Sequence, residues 1–456
     1  MKRKNLMTGS GKTDQCRLPQ PEDVNISGLS IFWMRRDLRL NDNAGLHYAL
    51  KSGMPTLLVF IFDHKILEGL PDNDPRVSFI YDELTDINRQ LEEYGSSLMI
   101  LKGDCLYNWK QIISSLPVKS VFWNNDYEPY ALERDSKVKG LLREHGIETN
   151  SFKDILIFEK SEVSKNDSSP YTVFTPFSRK WLIRLEQKGI PEYDSAGLLR
   201  NLVRISCALP SMKSLGFKKS SLKARKFSAE KIADYDKQRD YPSMDGTTYA
   251  GVHLRFGTIS IRELVRTAVM LNRTYLNELI WREFFMQILY HFPDVVNNNF
   301  RSGYDRIKWI NDHKQFESWC RGRTGYPIVD AGMRQLNATG FMHNRARMIC
   351  AGFLCKHLLC DWRWGEKYFA GKLSDYELAS NNGNWQWSAG TGCDAAPWFR
   401  VFNPLLQAKK FDRDNRYINK WVPEVNTPDY PEPVVDHSFA RKRAIGTYRY
   451  YLKDSK

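Results

Sequence analysis

Between residues 28 and 157, short continuous apolar runs alternate with longer segments of helical period. Leu29–Met34, Thr56–Phe62, Leu98–Leu101 and Ser120–Trp123 are the apolar runs. Runs of this length with few polar interruptions predict strands buried on both faces, as in a parallel sheet. Ala44–Lys51, Val77–Tyr94, Trp109–Leu116 and Glu133–His145 predict the helices between and after them. This rhythm predicts an α/β, doubly wound parallel-sheet domain over 28–157. After residue 229 strand signals fade. Ile261–Met270, Tyr275–Tyr290, Gln315–Arg321, Pro327–Leu336, Phe341–Leu359 and Gly365–Leu373 carry helical periodicity and predict an all-α domain over 229–456. Residues 158–228 mix turns with basic, weakly apolar sequence. A stretch this long seldom forms a loop inside a compact domain, so it reads as a linker along the surface between two domains.

Residues 1–27 are polar and unpatterned, which predicts a disordered extension. Gly9-Ser10-Gly11-Lys12-Thr13 has the ending of a phosphate loop. The full pattern needs Gly where Leu6 stands, and no strand precedes it. Lys plus Arg is 67 against 53 Asp plus Glu, a formal charge of +14. That surplus favours a polyanionic partner without bearing on fold. From Lys213 to Arg239 there are nine basic and three acidic residues, a run more often a solvated face than a DNA contact. No apolar run reaches the length of a membrane span, and no apolar segment follows the basic N-terminus as a signal peptide requires. The eight cysteines lack C-x-x-C spacing, so no metal site is expected and a reduced, cytoplasmic protein is. Aromatics are 13% of the chain, and nine of 13 tryptophans follow residue 229. Such an excess suits either a Trp-rich helical core or stacking on a flat ligand.

Several patterns carry chemistry. Glu278, Trp281 and Arg282 fall at i, i+3 and i+4 on one helix face. A carboxyl, a flat ring and a guanidinium suit a polar aromatic ligand on a phosphate backbone; the plainer reading is a surface ion pair beside a core Trp. Asn344 and Met348 are i and i+4, an amide that both donates and accepts beside a soft thioether. Trp385 and Trp387 are two apart and cannot share a helix face, and the small residues from Gly383 to Ala396 allow close backbone approach to something flat.

These segments are Asn381-Asn382-Gly383-Asn384-Trp385-Gln386-Trp387 and its continuation to Pro404, Glu278–Phe284, Thr324–Leu336, Met342–Met348 and the early Arg35-Arg36-Asp37-Leu38-Arg39-Leu40-Asn41-Asp42-Asn43. Together they resemble the DNA photolyase/cryptochrome family from about residue 30 to the end. The resemblance implies an N-terminal α/β domain and a helical domain holding FAD. In the family's light-driven reaction, excited reduced flavin passes an electron to a pyrimidine dimer flipped into a pocket, the cyclobutane bonds break, and the electron returns. By residue matching, Trp281 and Trp387 flank the dimer, Glu278 and Asn344 hydrogen-bond it, and Met348 packs on it. The Asn344/Met348 pair resembles the cyclobutane-dimer enzymes; (6-4) photolyases carry histidines in this region. Asn381 matches the residue near the flavin nitrogen whose protonation changes with redox state. Trp309, Trp362 and Trp385 match the electron-relay tryptophans, and Trp364 is read as packing.

Flavin contacts are implied for Tyr235, Thr247, Thr248, Tyr249, Ala250, Gly251, Arg347, Asp375 and Glu377. Two departures stand out: Gly251 replaces a Ser of the usual Thr-Ser-x-Leu-Ser segment, and Glu377 replaces Asp. Arg239, Arg282, Arg345, Arg400 and Gln407 are candidates for DNA phosphate contact. A second antenna chromophore (folate, deazaflavin or flavin) is not assignable, because Asn125–Ala131 lacks the Asn-Glu pair of folate-binding members. The expectation is a monomer repairing damaged DNA. A blue-light photosensor and a (6-4) photolyase are the alternatives; the short sequence after Tyr451 argues against the first.

Overall fold

The computed structural model describes residues 27–452, so the expected extension 1–27 lies outside the described residues except for its last position. The chain divides into two compact units that interleave in sequence. Of the described residues, the first contains 27–123, 134–152 and 194–221; the second contains 124–133, 153–193 and 222–452. The segment 158–228, read as a linker, is thus shared out: its first part folds with the helical unit and 194–221 returns to the sheet unit. Its apolar positions explain why. Phe174, Phe177 and Trp181 recur at helical spacing, and all three are buried in the second unit's core.

The first unit is built on strands β1 (Leu29–Met34), β2 (Thr56–Asp63), β3 (Met99–Gly103), β4 (Val118–Asn124) and β5 (Glu148–Phe152), in the order β3-β2-β1-β4-β5. β1 pairs in parallel with β2 and β4, and β2 with β3. Helices α1 (Ala44–Leu50), α2 (His64–Leu67), α3 (Pro75–Glu92), α4 (Cys105–Ser115) and α5 (Pro129–Glu144) alternate with them along the chain. β1 and β2 are buried along their whole length, which accounts for their uninterrupted apolar sequence. β5 was not expected. It is an edge strand with a mostly polar, half-exposed sequence, so it lacks the apolar run that marks the others. Arg35 of the early signature has a structural role. Arg35 pairs with Asp135, and Arg35 and Arg134 sit over the Trp33 ring at 4.7 and 5.0 Å.

The second unit is helical: α6 (Phe174–Lys188), α7 (Tyr235–Gln238), α8 (Ala250–Phe256), α9 (Ile261–Leu271), α10 (Arg273–His291), α11 (His313–Arg321) and α12 (Pro327–Thr339), then α13 (Asn344–Gly352), α14 (Trp362–Lys372), α15 (Leu378–Ala389), α16 (Pro404–Phe411), α17 (Arg416–Trp421) and α18 (His437–Leu452). Local chemistry sets the starts. Asn272 caps α10 by accepting from the Tyr275 N–H, and His343 caps α13 by accepting from Arg345. The segment expected as one helix, Phe341–Leu359, therefore begins at Asn344, and it passes into a π-helical turn over Phe353–His357. α10 is buried on most sides, from Tyr275 to Leu289, and carries the buried polar groups Glu283 and Gln287 among its apolar residues.

Candidate functional site

Helices α10, α13 and α15, with the segment before α15, wall a cavity of about 330 Å³ in the second unit. Helical spacing delivers its lining. α10 contributes Glu278, Trp281, Arg282 and Phe285; α13 contributes Asn344, Arg347, Met348 and Ala351; α15 contributes Asn381, Trp385 and Trp387. Asp375 and Glu377 enter from the α14–α15 connection, and Arg239 completes the wall. Residues more than a hundred positions apart, singled out on helix faces in the sequence, thus meet in one concavity.

The cavity's charges are paired. Glu278 accepts from Arg239 at 2.6 Å. Arg282 does not pair with Glu278, the plainer expectation. It reaches Glu377 at 3.0 Å and donates to the Ile155 carbonyl at 2.8 Å, with its side chain only 11% exposed. So placed, Arg282 is part of the cavity wall, paired with Glu377. Arg347 pairs with Asp375 at 2.8 Å. The Asn381 side-chain amide donates to Glu366 Oε1 at 2.8 Å, and burial raises the Glu366 carboxyl above its usual range.

Trp281 is held by a neighbour the sequence reading missed. Phe174 of α6 stacks on it with centroids 3.6 Å apart and planes at 4°, and Phe285 packs at 5.4 Å. The period of Phe174, Phe177 and Trp181 was the available signal, hidden by the basic residues around it.

Other expected residues, Trp385 apart, fall outside the lining. Tyr235 packs edge-on to Tyr275 at 4.9 Å, and the Thr248 hydroxyl bonds the Tyr275 hydroxyl at 2.9 Å. Tyr249 holds a left-handed backbone conformation at the start of α8, and Arg225 donates to its hydroxyl. A Cβ at Gly251 would sit 2.8 Å from Asp375 Oδ2, so the absent side chain lets Asp375 approach the backbone. Trp385 and Trp362 are buried and Trp309 half-buried. Trp385 makes ring contacts with Trp319 and Phe369, and Trp309 with Tyr448; Trp362 and Trp385 belong to one buried cluster, with Trp309 packed against it. Arg345 pairs with Asp240 over the Phe411 ring. Arg400 is exposed and Gln407 half-exposed, both away from the lining.

Comparison with known proteins gives the same class. Residues 30–194 match the family model described as DNA photolyase, and 275–428 match the FAD binding domain of DNA photolyase. A deoxyribodipyrimidine photo-lyase of Halobacterium salinarum is 36% identical, covering 92% of this chain and 98% of its own length. A class III photolyase structure from Agrobacterium tumefaciens superposes with a TM-score of 0.82 at 34% identity, covering 93% of this chain and 98% of that one. A cryptochrome structure from Synechocystis gives 0.79 at 25% identity over 92% and 99%. An α/β unit followed by a helical unit with a polar, aromatic-lined cavity defines the flavoprotein class of photolyases and cryptochromes. The chain belongs to the DNA photolyase family.

The cavity suits that family's cofactor, FAD. Asp375 Oδ1 is buried without a partner, an acceptor that a ligand hydroxyl or N–H would satisfy. Asn381 spends its amide hydrogens on Glu366, which leaves its carbonyl oxygen as an acceptor. Aromatic and apolar walls alternate with these few polar groups, as ligand sites for flat molecules require. Among the described residues no helix is long and apolar enough to cross a membrane.

Proposed function

We propose that this chain uses blue light to split cyclobutane pyrimidine dimers in DNA, acting as a cytoplasmic monomer with FAD as its cofactor. The observation that carries the reading is that Glu278, Trp281, Asn344, Met348 and Trp387 line one cavity together with Arg347, Asp375, Glu377 and Asn381. Substrate groups and cofactor groups share one concavity, as direct electron passage between the two ligands requires. When bound in reduced form, FAD supplies the light-excited electron.

The chain's own residues do the rest. Trp281, stiffened by Phe174, offers a fixed plane for a flipped dimer of two linked pyrimidine rings. Asn344 at the start of α13 presents an amide that both donates and accepts, matching a pyrimidine edge. Glu278, ion-paired with Arg239, accepts hydrogen bonds and suits the imide N–H edge of the dimer, while the Arg239 guanidinium beside it supplies the positive charge that favours a dimer anion. Met348 and Trp387 supply apolar contact. The Arg282–Glu377 and Arg347–Asp375 pairs fix the wall, and Asn381, its amide N–H₂ oriented by Glu366, would offer its carbonyl oxygen to a flavin ring N–H. Flipping a base costs a few kcal/mol, least for a lesion that already pairs poorly, which favours damaged over intact DNA.

The test is to illuminate the FAD-loaded, chemically reduced chain with duplex DNA carrying one thymine dimer. Thymine absorbance should recover under light and not in the dark. Equal affinity for damaged and undamaged duplex, with no recovery, would instead support a photosensor. Repair of the (6-4) lesion alone would overturn the Asn344/Met348 reading.

A further inference from the structure

Helix α6 begins without a cap of its own. Val173 stands at the capping position and has no side-chain oxygen, and Pro176 in the first turn has no N–H. The N–H groups of Phe174 and Thr175 therefore find no acceptor within the helix. One of them is met from far along the chain: Asp394 Oδ2 accepts from the Phe174 N–H at 2.8 Å, across 220 residues. A carboxylate also suits the positive end of a helix. The segment that carries Asp394 is pinned on both sides. Before it, the Thr391 and Gly392 N–H groups donate to the Gln386 carbonyl at 3.0 and 3.2 Å, and Arg301 donates to the Thr391 and Cys393 carbonyls at 3.2 and 3.1 Å. After it, the Ala396 N–H donates to the Trp387 carbonyl at 3.2 Å. Lys356, only 2% exposed, donates to the carbonyls of Ala389 at 2.6 Å and Trp398 at 3.2 Å, so one buried side chain ties the two ends of the segment together.

We propose that Asp394 is a positioning residue for lesion binding: by tying the start of α6 to the segment after Trp387, it sets the plane of Trp281 relative to Trp387. Phe174, the residue whose N–H it holds, does not line the cavity; its ring lies flat on Trp281, which does. The proposal rests on the reading of Trp281 and Trp387 as the two rings that flank the lesion. Without the tie, α6 could keep its helix and still shift Phe174, and Trp281 would lose the neighbour that fixes its plane. A cap that merely stabilises α6 could come from any oxygen at its N-terminus. A tie that aligns the two tryptophans has to come from the pinned segment, and the two roles part under mutation.

The FAD-loaded, chemically reduced full chain is assayed for affinity to duplex with one thymine dimer, splitting per absorbed photon at saturating DNA, bound FAD and thermal unfolding. Asp394→Ala should weaken lesion affinity by about five- to tenfold, part of the roughly ten- to hundredfold expected for Trp281→Ala, with bound FAD and yield at saturation unchanged. Loss of a carboxylate would by charge alone favour DNA, so weaker binding reports position rather than electrostatics. Asp394→Asn, which keeps a neutral acceptor, should bind within about threefold of wild type. Val173→Ser added to Asp394→Ala supplies a local cap at an exposed position. It should restore the unfolding temperature and leave lesion affinity weak; if Asp394→Ala does not fold by itself, this double variant carries the comparison. Affinity that returns together with the unfolding temperature would make Asp394 a cap only and overturn the proposal. Wild-type affinity in Asp394→Ala beside a weakened Trp281→Ala would also overturn it and leave the lesion pocket standing. Normal binding by Trp281→Ala would instead remove the pocket reading, and this proposal with it.

Discussion

At the residue scale, the pairings found in the cavity sharpen what each side chain should do. Glu278→Ala should lower dimer splitting per absorbed photon while FAD stays bound, because it removes the acceptor for the dimer's imide N–H and the partner that positions the Arg239 cation. It also releases Arg239, so Glu278→Gln, which keeps a hydrogen-bonding partner for Arg239, is the control. Trp281→Ala should act on binding instead. A ring stacked on bases is worth about 1–3 kcal/mol by truncation, or roughly ten- to a hundredfold in affinity. Repair yield and affinity measured separately on one thymine dimer would decide; wild-type yield in Glu278→Ala would remove it from the mechanism. His343 carries a pH prediction. Its folded pKa lies near 4, below the usual value near 6.5, so the unfolded chain binds the extra proton between these limits. Its contribution to stability is therefore complete above pH 6.5 and is lost as pH falls toward 4. Facing charges reinforce the direction: Arg345, Arg347 and Arg239 oppose protonation and Asp240 alone favours it. Between pH 7 and pH 5, wild type should lose about 2 kcal/mol more than His343→Gln in urea unfolding. Parallel losses would mean that His343 titrates normally.

At the element scale, α15 approaches its neighbours through glycine. A Cβ at Gly383 would lie 2.2 Å from Phe285 of α10, and one at Gly365 of α14 would lie 2.1 Å from Trp385. Helix propensity alone favours Ala over Gly by about 1 kcal/mol in a helix interior. Here the clash wins, because Phe285 is buried and braced against Trp281. Gly383→Ala should therefore destabilise by about 1–3 kcal/mol and reduce bound flavin, as read by thermal unfolding and by flavin absorbance. A rise in stability would show that the helices separate freely. The sequence showed which helix faces matter, since 278, 281 and 282, and 344 and 348, recur at helical spacing; the structure adds 285, 347 and 351 to the same faces. It did not show α6, whose apolar positions were masked by basic neighbours, and so it missed Phe174.

At the scale of the whole molecule, two predictions concern long-range behaviour. The formal charge of +14 and exposed Arg400 favour DNA association dominated by phosphate contacts. The logarithm of affinity should fall linearly with log salt, with a slope of about −0.9 per phosphate neutralised. Arg400→Ala should flatten that slope by about one contact without changing the preference for damaged duplex; an unchanged slope would place the interface elsewhere. The relay makes the second prediction. Trp309→Phe should block photoreduction of oxidised flavin yet leave repair by pre-reduced enzyme intact. If photoreduction survives, the ring contact of Trp385 with Trp319 marks the branch to test next.

What the sequence determined by itself was local or periodic. Continuous apolar runs specified β1 to β4, since a strand buried on both faces has no polar position to spare. Helical spacing specified the faces of α10 and α13, and the ordered motifs were enough to imply the family and its flavin. What only the tertiary structure decided was which polar groups lose water together. Arg282 meets Glu377, 95 residues away, and leaves the nearer Glu278 to Arg239. The same holds for the stacking of Phe174 on Trp281, for the unmet N–H of His343, and for the return of 194–221 to the sheet unit. No period in the chain encodes these, because a buried pair is selected by the desolvation it shares, and that exists only once distant segments have come together.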